Sequence, residues 1–215
     1  MLQSLLEELQ TSHTKLVAVS KTQPISAIEA LYQQGQRRFG ENRPKELAEK
    51  QSQLPADIEW HFIGHLQSSN VKYIAAFVHL IHAVDSLSLL QEINRQAAKH
   101  GRVIPCLLQF KIAQEASKHG LDLVAAQTIL SSDAFRQMAH IRIAGVMGMA
   151  TFTEDEAQIR REFRQLKQLF ETLRNSSFAQ DSAFREISMG MSGDYRIAIE
   201  EGSTMVRIGS LLFNS

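Results

Sequence analysis

A single cysteine, Cys106, stands in 215 residues, so neither an intramolecular disulfide nor a cysteine-based zinc site can form. A reducing compartment fits that usage. Basic excess is also missing. Lysine plus arginine and aspartate plus glutamate both number 23, a net charge of zero that removes the usual drive toward a nucleic-acid backbone. No uninterrupted apolar run approaches the roughly 18 residues needed to cross a bilayer. The amino end carries Glu7 and Glu8 where a secretory signal would be basic, while Leu2, Leu5, Leu6 and Leu9 fall at the spacing of an amphipathic helix. The expectation is a cytoplasmic protein that engages neither membrane nor nucleic acid. With four prolines and no low-complexity tract there is no place for a linker, and one domain over residues 1–215 is expected.

Hydrophobic residues at 44% and charged residues at 21% place the chain among ordinary globular proteins. Short apolar segments alternate with longer amphipathic ones, the pattern of strands joined by crossover helices in a parallel sheet. Eight strands are predicted, at 16–20, 38–42, 59–64, 79–85, 103–110, 141–149, 184–191 and 204–209. Helices are predicted at 24–35, 86–100, 119–131, 153–174 and 193–201, with Thr153 and Glu156 at capping-box spacing. Eight units fit either a closed α/β (β/α)8 TIM barrel or an open doubly wound sheet. The barrel is favoured because Lys21, Asn42, Asp85, Ser192 and Ser210 follow strand carboxyl ends along most of the chain, and a ring of loops gathers such residues at one mouth.

Period-two alternation puts Val17, Val19 and Lys21 on one face of the first strand and Leu16, Ala18 and Ser20 on the other. If the odd face points inward, so does the Lys21 ammonium. A desolvated mouth disfavours its charge and frees the amine to attack an aldehyde, which is Schiff-base chemistry. The alternative is a lysine that extends from a strand end into solvent. SMGMSGD (188–194) offers a strand end, two glycines, the Ser192 hydroxyl and a helix start, and RIGS (207–210) offers Gly209 and Ser210. The two segments fall where barrels commonly seat a phosphate, after strands seven and eight. Arg207, on the same face as Gly209, needs a partner if it points inward: Glu41 or Glu186 as an ion pair, or a ring nitrogen of a flat cofactor.

Other candidates carry less. Strand spacing separates His61 from His65 by roughly 13 Å, too far to share a metal, so no metal site is predicted. Met147, Met149, Met189, Met191 and Met205 read as core filler, Cys106 as a buried hydrophobe, and Tyr195 as a neighbour of the phosphate turn.

Taken together, AVSKTQP (18–24), RFGEN (38–42), WHFIGHLQ (60–67), QEASKHG (114–120), GVMGMATFTED (145–155) and SMGMSGDYRIAIEEGSTMVRIGSLLF (188–213) resemble the pyridoxal-phosphate (PLP) homeostasis proteins, relatives of the amino-terminal barrel of alanine racemase. The resemblance spans nearly the whole chain in order. It implies a PLP fold-type III barrel that is monomeric or weakly dimeric, with PLP as an internal aldimine on Lys21. It further implies phosphate contacts from Met191, Ser192, Gly209 and Ser210, Arg207 near the pyridine nitrogen, and Asn42 and His61 lining the same mouth. Departures from the family pattern are Ser69 and Asn70 in LQSSN, Lys111 after the fifth strand, and the ending LLFNS.

An arginine beside the ring nitrogen does not favour ring protonation, which weakens the electron sink that transamination requires. The expected function is therefore a carrier with no catalytic residue, holding PLP for vitamin B6 and amino-acid homeostasis and delivering it to PLP-dependent apo-enzymes. The rival readings are a PLP-dependent amino-acid racemase using Tyr195 or a histidine as second base, and a Schiff-base aldolase acting on a sugar phosphate.

Overall fold

All eight predicted strands form, seven trimmed at one or both ends and the first shifted one residue toward the amino terminus, in a computed structural model that describes residues 2–114 and 119–213. They are β1 (Lys15–Val19), β2 (Arg38–Glu41), β3 (Glu59–Phe62), β4 (Leu80–Val84), β5 (Ile104–Gln109), β6 (Ile141–Met147), β7 (Glu186–Ser188) and β8 (Met205–Ile208). Every neighbouring pair is parallel, and β8 returns to pair with β1, Val17 opposite Arg207. The sheet is thus the expected closed barrel rather than the open alternative.

Nine α-helices surround it among the described residues: α1 (Leu2–Thr11), α2 (Ile25–Gln33), α3 (Pro44–Gln51), α4 (Leu87–Lys99), α5 (Leu123–Ser131), α6 (Asp133–Arg136), α7 (Glu156–Asn175), α8 (Tyr195–Glu200) and α9 (Ser210–Phe213). Between β3 and β4 the crossover is a single 3₁₀ segment, Ser68–Tyr73. Helix α7 starts later than predicted. Asp155, not Thr153, is the cap, accepting from the Gln158 N–H at 3.1 Å, while the Thr153 hydroxyl accepts from the Asp155 N–H. Below that cap Ile159, Phe163, Leu166, Phe170 and Leu173 form one buried stripe. Helix α3 was not predicted, because PKELAEKQ is too polar to show an apolar period; Pro44 at its first turn is the local signal.

The inside–outside alternation of β1 is as expected. Val17 belongs to the barrel interior with Leu80, Ala83, Leu107, Ala144, Met147 and Met205, whereas Leu16 and Ala18 pack outward against the helices. Opposite Cys106 and Leu108, two residues apart, β4 places Ile81 and Val84, three apart, so β4 carries one extra residue, a bulge. The bulge lets both His82 and Ala83 serve the interior, and His82 is fully buried there. Cys106 is buried, as predicted. No helix among the described residues is long and apolar enough to cross a membrane.

Candidate functional site

The loops at the carboxyl ends of the strands enclose a cavity of about 690 Å³. Seven of the nine residues predicted to share one mouth line it: Lys21, Asn42, Met191, Ser192, Arg207, Gly209 and Ser210. Asp85 sits at its edge, its carboxylate 3.7 Å from His65 Nδ1.

Lys21 is the only lysine lining the cavity among the described residues, and it is exposed rather than desolvated. The β1 ladder ends at Val19, so Lys21 belongs to the turn beyond the strand. What orders that turn is a buried cation. The Lys50 ammonium spends its three hydrogens on Glu41 Oε1 at 2.7 Å, Glu46 Oε1 at 2.8 Å and the Ser20 carbonyl at 2.8 Å. Glu46 in turn accepts the Thr22 N–H at 2.8 Å, holding Thr22 at φ +63°, a left-handed conformation costly for a branched residue. Lys21 is therefore gripped by its neighbours on both sides.

On the far wall, Gly190 takes φ +95°, and an added Cβ would fall 2.6 Å from that of Ala198, so only glycine lets the chain turn into Met191. Asp194 accepts the Met191 N–H at 2.6 Å, and Ser192 Oγ accepts the Gly209 N–H at 3.3 Å, joining the two segments predicted to act together. The backbone N–H groups of Ser192, Gly193 and Ser210 have no partner among the described residues. A Cβ on Gly209 would come within 3.2 Å of the Val19 carbonyl, so a side chain there would crowd the wall between these groups and Lys21.

Arg207 is buried, and neither expected ion pair forms. Glu41 is taken by Lys50 and Ser20, and Glu186 by Lys15. The guanidinium donates instead to Ser188 Oγ at 2.6 Å and the Gly148 carbonyl at 3.1 Å. Burial pushes its pKa down to about 10, with Asp194 opposing, so it stays charged at neutral pH. Across the cavity Asn42 Oδ1 is buried without a partner among the described residues.

His61 is a correction. It is the third residue of β3, so its buried ring lies below the mouth; Ile63, two residues on, lines the mouth instead. The ring stacks on His79, its Nδ1 lies 2.8 Å from His82 Nε2, and burial holds both His61 and His82 well below the ordinary histidine range. Tyr195 is another. Its hydroxyl donates to Glu8 at 3.0 Å, and it does not line the mouth.

Histidines cluster where spacing along β3 alone had excluded metal. Glu59, His61 and His79 bring ligand atoms within 4.8 Å of one another, as do His65, Asp85 and His119, because each group draws on a loop or strand distant in sequence. His65 and His119 also stack at 4.4 Å in the mouth wall. Ser69, Asn70 and Lys111 do not line the mouth. Residues 115–118 of the QEASKHG run and 214–215 of the ending lie outside the described residues.

A family model described as alanine racemase, N-terminal domain, matches residues 2–215. The pyridoxal phosphate homeostasis protein of Aquifex aeolicus is 36% identical over 200 residues, covering 93% of this chain and 86% of that protein. The Homo sapiens protein of the same name is 37% identical over 218 residues, covering 96% and 78%. Among solved structures, PipY of Synechococcus elongatus with PLP bound superposes with a TM-score of 0.87 at 34% identity, covering 99% of this chain and 97% of that one. Alanine racemase of Bartonella henselae, at 16% identity and a TM-score of 0.70 over 57% of its length, shares the fold.

Proposed function

The chain belongs to the alanine racemase N-terminal domain family and, within it, to the pyridoxal phosphate homeostasis proteins, and from that premise we propose that it binds pyridoxal 5′-phosphate in the mouth cavity as a carrier. The observation that carries this reading is the convergence, on a single cavity of about 690 Å³, of one amine and three backbone N–H groups that have no partner among the described residues. The residues fit the group. The cavity offers donors for a phosphate, a charged guanidinium for a ring nitrogen, and in Asn42 Oδ1 a buried acceptor that lacks a donor.

When bound, the cofactor supplies an aldehyde that condenses with a primary amine. Lys21 Nζ is the amine in place. Ser192 and Ser210 would hold the phosphate through their backbone N–H groups and that of Gly193, with Met191 and Gly209 shaping the turns that aim them, and Arg207 would donate toward the ring nitrogen while Ser188 and Gly148 fix the guanidinium plane. Asn42 orients the ring. Because a guanidinium can only donate, it favours the unprotonated form of that nitrogen, and the site does not build the electron sink that amino-acid chemistry needs. Retention and release for PLP and amino-acid homeostasis follow, with PLP-dependent apo-enzymes as recipients. The carrier acts in the cytoplasm as a monomer or weak dimer, in keeping with one buried cysteine and balanced charge.

The test is an absorption spectrum before and after borohydride, with a mass spectrum of the reduced peptide. Lys21→Ala should lose the yellow band, and Ser192→Ala should weaken retention by roughly 1–2 kcal/mol. A Lys21→Ala protein with an unchanged spectrum overturns the assignment. The racemase alternative loses Tyr195 as second base to Glu8, and rapid α-proton exchange of L-alanine in deuterated water would revive it.

A further inference from the structure

The amino ends of the strands enclose a second cavity, of about 520 Å³, at the end of the barrel away from the mouth. Lys15, Arg38, Arg142 and Arg185 line it against only two carboxylates, Glu59 and Glu186, so two positive charges are in excess. Arg38 is paired with Glu59 at 2.8 Å and Lys15 with Glu186. The Arg142 side chain makes no hydrogen bond or ion pair among the described residues.

His61 lines the same cavity, is 1% exposed, and its Nε2 has no partner among the described residues. Which role that nitrogen plays is decided at the other end of a buried chain. Arg207 can only donate, and it donates to Ser188 Oγ. Ser188 Oγ lies 2.9 Å from His82 Nδ1, and His82 Nε2 lies 2.8 Å from His61 Nδ1. If Ser188 passes its hydrogen to His82, then His82 donates to His61, and a single group is left over, an N–H at His61 Nε2. The reverse order strands two groups, the Ser188 hydroxyl hydrogen and a lone pair at His61 Nε2. Buried polar groups are rarely left unpaired, so the order with one orphan wins. The leftover group is a donor facing a positively charged cavity.

We infer that this lower cavity is a binding site for a doubly charged oxyanion of the phosphate class, gripped by Arg142 and received by the Nε2–H of His61. Arginine matches such an anion through paired N–H groups, and a buried neutral imidazole N–H adds a donor without adding charge. The oxyanion displaces the half-exposed His79 ring, stacked on His61 at 5.5 Å, to reach that hydrogen. A divalent cation at Glu59, His61 and His79 is the rival occupant. It would need a lone pair at His61 Nε2, and Arg38 already holds the Glu59 carboxylate.

Protein with ¹⁵N-labelled histidine is titrated with inorganic phosphate and, separately, with zinc chloride, while the His61 Nε2 resonance is followed. Phosphate should move it saturably, Arg142→Ala should raise the half-saturating concentration at least tenfold, and zinc should leave it in place. An unmoved resonance, an equal response in Arg142→Ala, or a zinc-dependent loss of the Nε2 proton each overturns the proposal. His65 and His119 line the mouth and report any phosphate bound there, so the outcome at His61 stands apart from the carrier reading.

Discussion

Replacing Lys50 by methionine keeps the side-chain length and removes the ammonium that orders the turn around Lys21. The loss is large because the site is dry: the Lys50 side chain is 8% exposed and that of Glu41 is 0%. Glu41 would retain only the Ser20 hydroxyl, at 2.6 Å, with its second oxygen already unpartnered among the described residues. Breaking one side of a buried pair costs about 3–5 kcal/mol, which for a domain of this size lowers the melting temperature by about 6–20 °C. Adding Glu41→Gln should recover at least about 2 kcal/mol, because the stranded charge goes with the carboxylate. Burial raises the Glu41 pKa and Lys50 opposes it, so in the methionine variant the carboxyl rises further. An acid whose folded pKa is raised loses stability as pH climbs through that value. The cost of Lys50→Met should therefore be greater at about pH 8 than at about pH 5. Urea unfolding of the four proteins of the cycle at both pH values measures these terms. A loss under about 1 kcal/mol, or strictly additive single effects, refutes the buried-pair account.

His61 and His82 are held neutral by burial, so below about pH 6.5 the unfolded chain binds protons that the folded one refuses. The unfolding free energy should fall by about 1.4 kcal/mol per pH unit for each of them, and a urea midpoint that stays level from about pH 7 to 5 excludes the neutral pair. Ser188→Ala strips Arg207 and His82 of a shared partner and should cost about 1–3 kcal/mol in denaturant unfolding. Asn42→Leu removes an unpaired buried oxygen, so cofactor-free protein should be at least as stable as the parent while PLP retention drops about tenfold by absorption titration. Weakened stability with unchanged retention would place Asn42 in the scaffold instead.

The barrel was legible because its strands are near-continuous runs of branched and apolar residues, and alternation separated the two faces of β1, of which the structure makes the odd one inner. The mouth was legible for a similar reason: residues just past strand ends meet by topology, whatever their side chains do. Side-chain partners were not. Arg207 finds Ser188 rather than a carboxylate because β7 and β8 fix the register, and His82 reaches Ser188 across 106 residues through a bulge that no local pattern announces. Lys50 was invisible because a buried lysine on a polar helix reads as a surface residue until its three acceptors are seen. His61 was misplaced by two residues' worth of strand, enough to exchange the mouth for the middle of the barrel.

The same partners set how strongly the mouth favours an anion. Burial pushes the Arg207 pKa down to about 10, so its charge costs folding free energy. Ser188 and Gly148 solvate that charge with neutral dipoles, and the described residues give it no carboxylate in contact. An anionic ligand in the cavity restores part of this energy through the field alone, in addition to its own hydrogen bonds. Retention and folding stability are therefore linked. A ligand that binds only the folded state adds RT ln(1 + [L]/Kd), about 2.7 kcal/mol at a hundredfold excess over Kd, and the share that runs through Arg207 vanishes when its charge is removed. On the carrier reading proposed above, cargo would pass most readily to a site that offers the phosphate more cationic partners than one guanidinium and three backbone N–H groups provide.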